Sequence, residues 1–212
     1  MKFEELLELV GDEPVFESSV LFAGETSVGA IRQQLSRWTK RGYVDQLRRG
    51  LYAIARPYRK VDPHPFVVAN ALVPSSYVSL QSALRHHGLI PEHVPTVTSV
   101  TTGRPGERST PLGPHLYHHI AEAYFWGYDT VEVARGQDAF VATREKALLD
   151  LVYLRPGGAD RDFLESLRLQ DLDGLDLEEL ERHAERWDKP KLRHAAAEIR
   201  SIASDEEGHI TI

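Results

Sequence analysis

The segment of residues 27–41 constrains the fold more than any other part of the sequence. At about 100° per residue on a helical wheel, Ile31, Leu35 and Trp38 fall on one narrow stripe. The opposite side carries polar and basic side chains, namely Arg32, Gln33, Ser36, Arg37 and Lys40. The segment therefore predicts a helix that is seated on the protein through its stripe and presents a basic face outward.

Both ends of this helix carry recognisable signals. Thr26 or Ser27 is placed to act as the N-cap, because a hydroxyl there can accept a hydrogen bond from the first helical turn. Gly42 follows the last periodic residue, where helices commonly end in a left-handed glycine. We therefore predict that the helix is bounded by these residues.

Short predicted elements flank this helix on both sides. The apolar spacing predicts one short helix over residues 3–10 and a second over residues 15–23. After Gly42, the runs YVDQL and LYAI favour β-strands, and a turn containing Gly50 separates them. Three helices and a hairpin within about 55 residues form the order of a winged helix-turn-helix. We predict such a domain over residues 1–58.

The rest of the chain predicts a mixed α/β domain and a helical tail. A basic stretch with several prolines, residues 55–65, is typical of a linker. Residues 59–155 alternate between strand and helix patterns, with a loop expected over 104–114. Residues 156–212 predict helices. The fold class expected from these elements is α+β.

Charge is unevenly distributed along the chain. The 212 residues carry a formal net charge of −7, which taken alone argues against a nucleic-acid partner. Residues 27–60, however, contain nine Lys or Arg and a single acid, Asp45. Because the local field that faces the phosphates governs binding, this pattern is typical of a DNA-binding head on an acidic body.

The outer face of the basic helix and the tip of the hairpin are expected to contact double-stranded DNA. Arg, Gln and Ser side chains can hydrogen-bond base edges in the major groove, whereas basic residues at the helix end and the hairpin should meet phosphates or a narrow minor groove. The predicted contact residues are Ser27, Arg32, Gln33, Ser36, Arg37, Lys40, Arg41, Arg48 and Arg49. The alternative interpretation of the same pattern is a basic face that is merely solvated.

Several short motifs follow one another in an order that resembles a known family. They are Leu35 through Trp38, Arg41-Gly42-Tyr43-Val44, Arg49-Gly50-Leu51-Tyr52-Ala53, Tyr77-Val78-Ser79, Ser82-Ala83-Leu84, His87-Gly88-Leu89-Ile90-Pro91-Glu92, Thr101-Thr102 and Glu145-Lys146-Ala147-Leu148-Leu149-Asp150. Over approximately residues 1–155 the chain resembles the AbiE-type antitoxins of abortive-infection systems. The resemblance implies a winged helix that represses its own operon by binding inverted repeats in the promoter. It also implies a second domain that counteracts a nucleotidyltransferase-like toxin, without a stable complex between the two proteins. Inverted repeats would take two copies of the chain, so we expect a monomer or a homodimer on DNA.

No residue pattern predicts a catalytic centre, a metal site or a cofactor. His86 and His87 are adjacent in sequence, but no helical metal motif surrounds them. If residues 115–120 form a strand, His115 and His119 share one face and His118 points to the other, which is poor geometry for three ligands.

Carboxylates are equally uninformative about catalysis. Glu145 and Asp150 belong to a helix whose apolar residues predict burial, so we expect no catalytic role for them.

Two alternatives to the antitoxin remain open. One is a stand-alone winged-helix regulator whose second domain senses a ligand or partner, and the other is a metal-dependent nuclease targeted by the winged helix.

The composition limits the compartment. The chain has no cysteine, which excludes disulfides and thiolate chemistry. No apolar run approaches the roughly 20 residues that span a bilayer, and the acidic N-terminal residues are unlike a signal peptide. We expect a cytoplasmic protein without membrane contact.

Overall fold

The N-terminal part combines two helices with a small sheet. A computed structural model describes residues 1–22 and 27–209. The first elements are α1 (Phe3–Val10), β1 (Phe16–Glu17), a 3₁₀ turn (Ser18–Phe22), α2 (Val28–Lys40), β2 (Val44–Arg48) and β3 (Leu51–Ile54). The three strands are antiparallel and lie in the order β1-β3-β2. This arrangement is compatible with a winged helix.

The stripe of α2 is buried as its spacing predicts. Ile31, Leu35 and Trp38 pack in one hydrophobic cluster with residues of α1 and of the three-stranded sheet. Full burial of each such side chain contributes about 1.5–3 kcal/mol, so this cluster fixes the orientation of α2. The opposite side of the helix consequently faces outward.

The ends of α2 confirm two of the predicted boundary residues. Ser27 is the N-cap, and its Oγ accepts a hydrogen bond from the amide of Ala30 at 3.3 Å. Gly42 has φ +71°, and Tyr43 N–H donates to the carbonyl of Trp38 at 2.9 Å, which is a Schellman-type ending. Thr26, the other predicted cap, lies outside the described residues.

The helix predicted over residues 15–23 is wrong. Phe16 and Glu17 form β1, and a 3₁₀ turn follows. Phe16 pairs with Tyr52 of β3, and the two rings stack with centroids 5.9 Å apart. Pairing with a distant strand outweighs the weak helical pattern of a short segment.

A six-stranded mixed sheet forms the centre of the second part. Its elements are α3 (Pro65–Leu72), β4 (Ser76–Val78), α4 (Leu80–His86), β5 (Val97–Thr101), β6 (Gly106–Thr110), β7 (Gly113–His119), β8 (Tyr128–Ala134), β9 (Gln137–Ala142) and α5 (Arg144–Leu154). The strand order is β6-β7-β5-β4-β9-β8, with parallel pairing between β4 and β9 and between β5 and β7.

The loop predicted over 104–114 is wrong because β6 and the start of β7 form a hairpin there. The residues of β6 are mostly exposed, so this edge strand lacks the apolar alternation that reveals a strand.

The C-terminal helices complete the same core. They are α6 (Arg161–Ser166), α7 (Leu177–Trp187) and α8 (Pro190–His209). Leu180, Trp187 and Leu192 are buried in one cluster with α5 and the six-stranded sheet. The α+β class predicted from the sequence is confirmed.

The small sheet also packs against the second part of the chain. Leu47, Leu51 and Ala53, from β2 and β3, form a buried cluster with residues of α3 and with Tyr117 of β7. One face of the small sheet therefore closes the N-terminal core, and the other face docks the hairpin onto the rest of the protein.

Candidate nucleic-acid interface

The outer face of α2 is an open, polar surface. Arg32, Gln33, Ser36 and Arg37 are exposed and together line a shallow depression. Residues three or four positions apart are neighbours on a helix surface, as Arg32 and Ser36, Gln33 and Ser36, and Gln33 and Arg37 are, so these side chains form one continuous patch. The patch combines two guanidinium groups, an amide and a hydroxyl.

The cations of this helix are not neutralised by the protein. Within residues 1–22 and 27–209, Arg32, Arg37, Lys40, Arg41 and Arg49 make no ion pair. The remaining basic residues of the 27–60 segment are paired, as Arg48 with Glu17, Arg56 and Arg59 with Asp62, and Lys60 with Asp12. Within residues 27–60, the cations without an ion pair therefore lie on α2, at its C-terminal end and in the hairpin turn.

Ser27 has a local structural task at the start of this patch. It is exposed, but its Oγ accepts the hydrogen bond that caps α2. Its predicted contact with DNA remains a prediction, and the hydroxyl already contributes about 1 kcal/mol to the helix as a cap.

Arg48 differs from the other predicted contact residues of the hairpin and α2, because its half-buried side chain has several partners within the protein. Its Nη2 donates to Oε1 of Glu17 at 2.6 Å and to the carbonyl oxygen of Ala71 at 3.2 Å. Nε also reaches the carbonyl of Ala71 at 3.4 Å, and Nη1 donates to the carbonyl of Arg49 at 3.2 Å. The guanidinium therefore ties β2 to β1 and to α3, and the predicted contact of Arg48 with DNA stays a prediction.

Arg49 remains the basic residue of the hairpin that faces solvent without an internal partner in the described chain. It occupies the two-residue turn between β2 and β3, where Gly50 adopts φ +86°. An L-residue with a side chain would be strained at such a φ, so the turn depends on this glycine. The hairpin therefore adds one cation without an ion pair, Arg49, to those of α2 and its C-terminal end.

A buried ionic centre, which the sequence did not predict, lies in α5. Lys146 and Asp150 are fully buried and form an ion pair. Lys146 Nζ also donates to the hydroxyl of Tyr77 at 2.7 Å, and Asp150 accepts from Tyr77 at 3.0 Å and from Ser79 at 2.7 Å. The centroid of the Trp187 ring lies 4.3 Å from Nζ of Lys146. The spacing of four residues on a helix was the available signal for the pair.

Burial disfavours the charged form of both side chains in this ion pair. Removal from water lowers the pKa of Lys146 and raises the pKa of Asp150, and their mutual attraction opposes both effects. Neither side chain is accessible to a substrate, so the described geometry gives the pair a structural role.

The histidines lie where strand alternation predicts. His115 is buried on one face of β7, whereas His118 lies on the opposite face, near α5. Among the described residues, no group of three His, Asp or Glu is arranged to hold a metal ion. In the same part of the chain, no helix combines the length and apolar character needed to cross a bilayer.

Comparison with known proteins adds no further constraint on this interface. No protein-family model matches the chain, and no curated protein shows significant similarity to it. The geometry and charge of α2 are therefore the observations on which a functional proposal rests.

Proposed function

We propose that the chain is a DNA-binding transcriptional regulator that inserts α2 into the major groove. On its resemblance to the AbiE-type family, we further propose that it is an antitoxin that represses its own operon and counteracts a nucleotidyltransferase-like toxin. The observation that carries the proposal is the exposed face of α2, whose cations have no partner within the described chain.

The residue types on α2 suit base recognition. Arg32 and Arg37 can each donate two hydrogen bonds to O6 and N7 of guanine, and Gln33 can pair with adenine. Lys40 and Arg41 lie at the C-terminal end of the helix, where contact with phosphate is favoured. The apolar stripe on the opposite side holds the helix rigidly while its outer face meets the groove.

The distribution of charge supports the same orientation. The chain is acidic overall, with a net charge of −7, but α2 and its C-cap carry four exposed cations that make no ion pair within the described chain, namely Arg32, Arg37, Lys40 and Arg41. A duplex would repel the acidic body and attract this face, so electrostatic steering brings α2 toward the DNA. Each phosphate neutralised should contribute about −0.9 to the slope of log affinity against log salt concentration.

Fluorescence anisotropy with a labelled duplex from the chain's own upstream region tests the DNA-binding proposal. We expect tighter binding to this duplex than to a scrambled one, and a loss of about 1–3 kcal/mol for Arg32→Ala and for Arg37→Ala. Arg135→Ala is the matched control because Arg135 is an exposed arginine in the turn between β8 and β9. Equal affinity of the α2 variants and the wild-type protein would contradict the proposal.

The antitoxin activity needs a separate measurement. Co-expression with a nucleotidyltransferase-like protein from the same operon should restore growth of cells that the toxin arrests. Because α2 has no part in this step, the variant Arg32→Ala/Arg37→Ala should still restore growth. Failure of the wild-type chain to restore growth, with promoter binding intact, would leave the stand-alone regulator as the function.

A further inference from the structure

A cavity with several histidines in its lining lies on the face of the six-stranded sheet that α3 covers. Its volume is about 420 Å³, and its lining residues come from the start of α3, from α4 and from the segments before β5 and β7. Cavities of roughly 300–1,000 Å³ hold most small-molecule ligands. The polar side chains that line it include His64, Arg85, His86, His93 and His115.

His115 is the most informative residue of this cavity. Its side chain is 1 % exposed, and neither ring nitrogen has a hydrogen-bond partner within the described chain. Buried polar groups are nearly always hydrogen-bonded, and an unpartnered one destabilises the folded state. A ligand that enters the cavity would supply the partner that the protein itself does not provide.

Two further groups of the lining, His64 and Arg85, present hydrogen-bond donors. Nδ1 of His64 accepts a hydrogen bond from the amide of Phe66 at 3.2 Å, so in the neutral ring the proton resides on Nε2. Arg85 makes no ion pair within the described residues, and its Nη1 has a carbonyl contact, to Ile90, at 3.4 Å. A fork of donors without a carboxylate partner favours an anionic ligand.

The charge of the lining distinguishes this cavity from its neighbour. Among the described residues that line it there is no Asp or Glu, although the chain as a whole is acidic. A second cavity, of about 610 Å³, shares His93 with it but lies toward α5 and contains Glu92 and Glu107. Carboxylates thus line the larger cavity, whereas the described residues that line the smaller cavity, around His115, include none.

A metal ion is the principal competing occupant, because imidazole is the commonest metal ligand in proteins. The geometry does not favour it, since no three His, Asp or Glu of the described chain are placed to coordinate one ion. A guanidinium group in the lining would also repel a cation. The cavity is better matched to negative charge.

We propose that this cavity binds a small anion, whose carboxylate or phosphate group is held by Arg85 and the surrounding imidazoles, with His115 at its buried end. This binding site does not depend on the DNA-binding function proposed above. Phosphate esters and organic acids share the required chemistry, and the test separates them.

Nuclear magnetic resonance of the imidazole groups provides the test. Inorganic phosphate and acetate are titrated separately into the full chain at neutral pH, in a buffer without other carboxylates or phosphates. We expect saturable shifts of the His115 signals with at least one anion, and the tighter of the two identifies the ligand class. Absence of saturable shifts with both anions would overturn the proposal.

Variants identify the site. Arg85→Gln and His115→Leu should each weaken binding by about tenfold, the loss of one charge-assisted or buried hydrogen bond. His194→Gln, at an exposed position of α8, is the matched control and should bind as the wild type does. Unchanged binding in both cavity variants would overturn the assignment, as would stoichiometric Zn²⁺ binding that shifts the same imidazole signals.

The fold of the variants is controlled independently. Leu has a size close to that of His and replaces a buried polar group without a partner, so the free energy of unfolding should hold or rise. Arg85 is exposed, and its replacement should leave folding intact. Arg85→Gln therefore keeps the proposal testable even if His115→Leu fails to fold.

Discussion

Helices α2 and α5 both carry basic residues, yet they use them in opposite ways. On α2, Arg32 and Arg37 are exposed and make no ion pair within the described chain. On α5, Lys146 is fully buried and has a carboxylate, a hydroxyl and an aromatic ring around its ammonium group. Residue type alone does not decide whether a cation supports the fold or faces a partner.

The distribution of apolar residues explains the difference. In α2 the buried residues form one stripe, so the polar side remains in water at no cost. In α5 the buried residues run without a break from Glu145 to Val152, and any charge among them must be partnered. Removal of a basic residue should therefore affect stability in α5 and binding in α2.

The largest effect is expected for Lys146→Met. This variant leaves Asp150 buried without its partner, and breaking one side of a buried pair costs about 3–5 kcal/mol. Urea unfolding monitored by circular dichroism measures the loss. The double variant Lys146→Met/Asp150→Asn removes both charges and should recover part of it. A single-variant loss below about 1 kcal/mol would show that the pair has little structural weight.

A buried group without a partner should make stability depend on pH. Burial lowers the pKa of His115 to about 4, below the ordinary value of 6.5. Between these values the unfolded chain binds the proton and the folded chain does not, so stability falls as the pH falls. From pH 7 to pH 5 this group should cost about 2 kcal/mol.

The comparison of wild type with His115→Leu isolates that contribution. The variant should lose less stability on acidification, while His194→Gln should follow the wild type. Unfolding in buffers free of carboxylate and phosphate measures both. Parallel pH profiles for wild type and His115→Leu would contradict the prediction.

An intermediate effect is expected for Arg48→Ala. Its guanidinium joins Glu17 to the carbonyl of Ala71, but the side chain is 34 % exposed, so solvent weakens the ion pair. We expect a loss of about 1 kcal/mol in the free energy of unfolding, mostly from the hydrogen bond to the carbonyl. Arg49→Ala is the adjacent control and should change stability by less than about 0.5 kcal/mol. Equal effects of the two variants would mean that Arg48 does not tie the hairpin to α3.

The smallest effect on stability is expected on α2. The double variant Arg32→Ala/Arg37→Ala removes exposed, unpaired cations and should alter the free energy of unfolding by no more than about 0.5 kcal/mol. Alanine also has a slightly higher helix propensity. Thermal unfolding provides the measurement. A substantial loss would show that the outer face of α2 contributes to the fold.

Local sequence patterns predict α2 correctly, but they do not predict the contacts of residues whose partners are distant in the sequence. The stripe, the Ser27 cap and Gly42 all lie within one short segment, so periodicity and capping rules predict them. The partners of Arg48 are 31 residues before it and 23 residues after it, and counting acids near the hairpin does not find them. Long-range pairing likewise decided β1.

The interior sites were hidden for the same reason. The partners of Lys146 include Tyr77, 69 residues away, and the sheet topology brings the two together. The cavity around His115 is assembled from four separate segments, so adjacent histidines in the sequence gave no indication of it. Only the alternation of His115 and His118 across β7 was visible beforehand.

The docking of the small sheet on α3 and β7 has a geometric consequence. A winged helix that a flexible linker joins to the next domain could bind a duplex with that domain in many orientations. Here Leu47, Leu51 and Ala53 pack the hairpin against the second part of the chain, so folding fixes the orientation of α2 relative to that part. If α2 binds in a major groove, the second part of the chain then lies in a fixed position beside the DNA. The length of duplex that each copy covers is therefore fixed, and the spacing of two half-sites must be large enough for both copies.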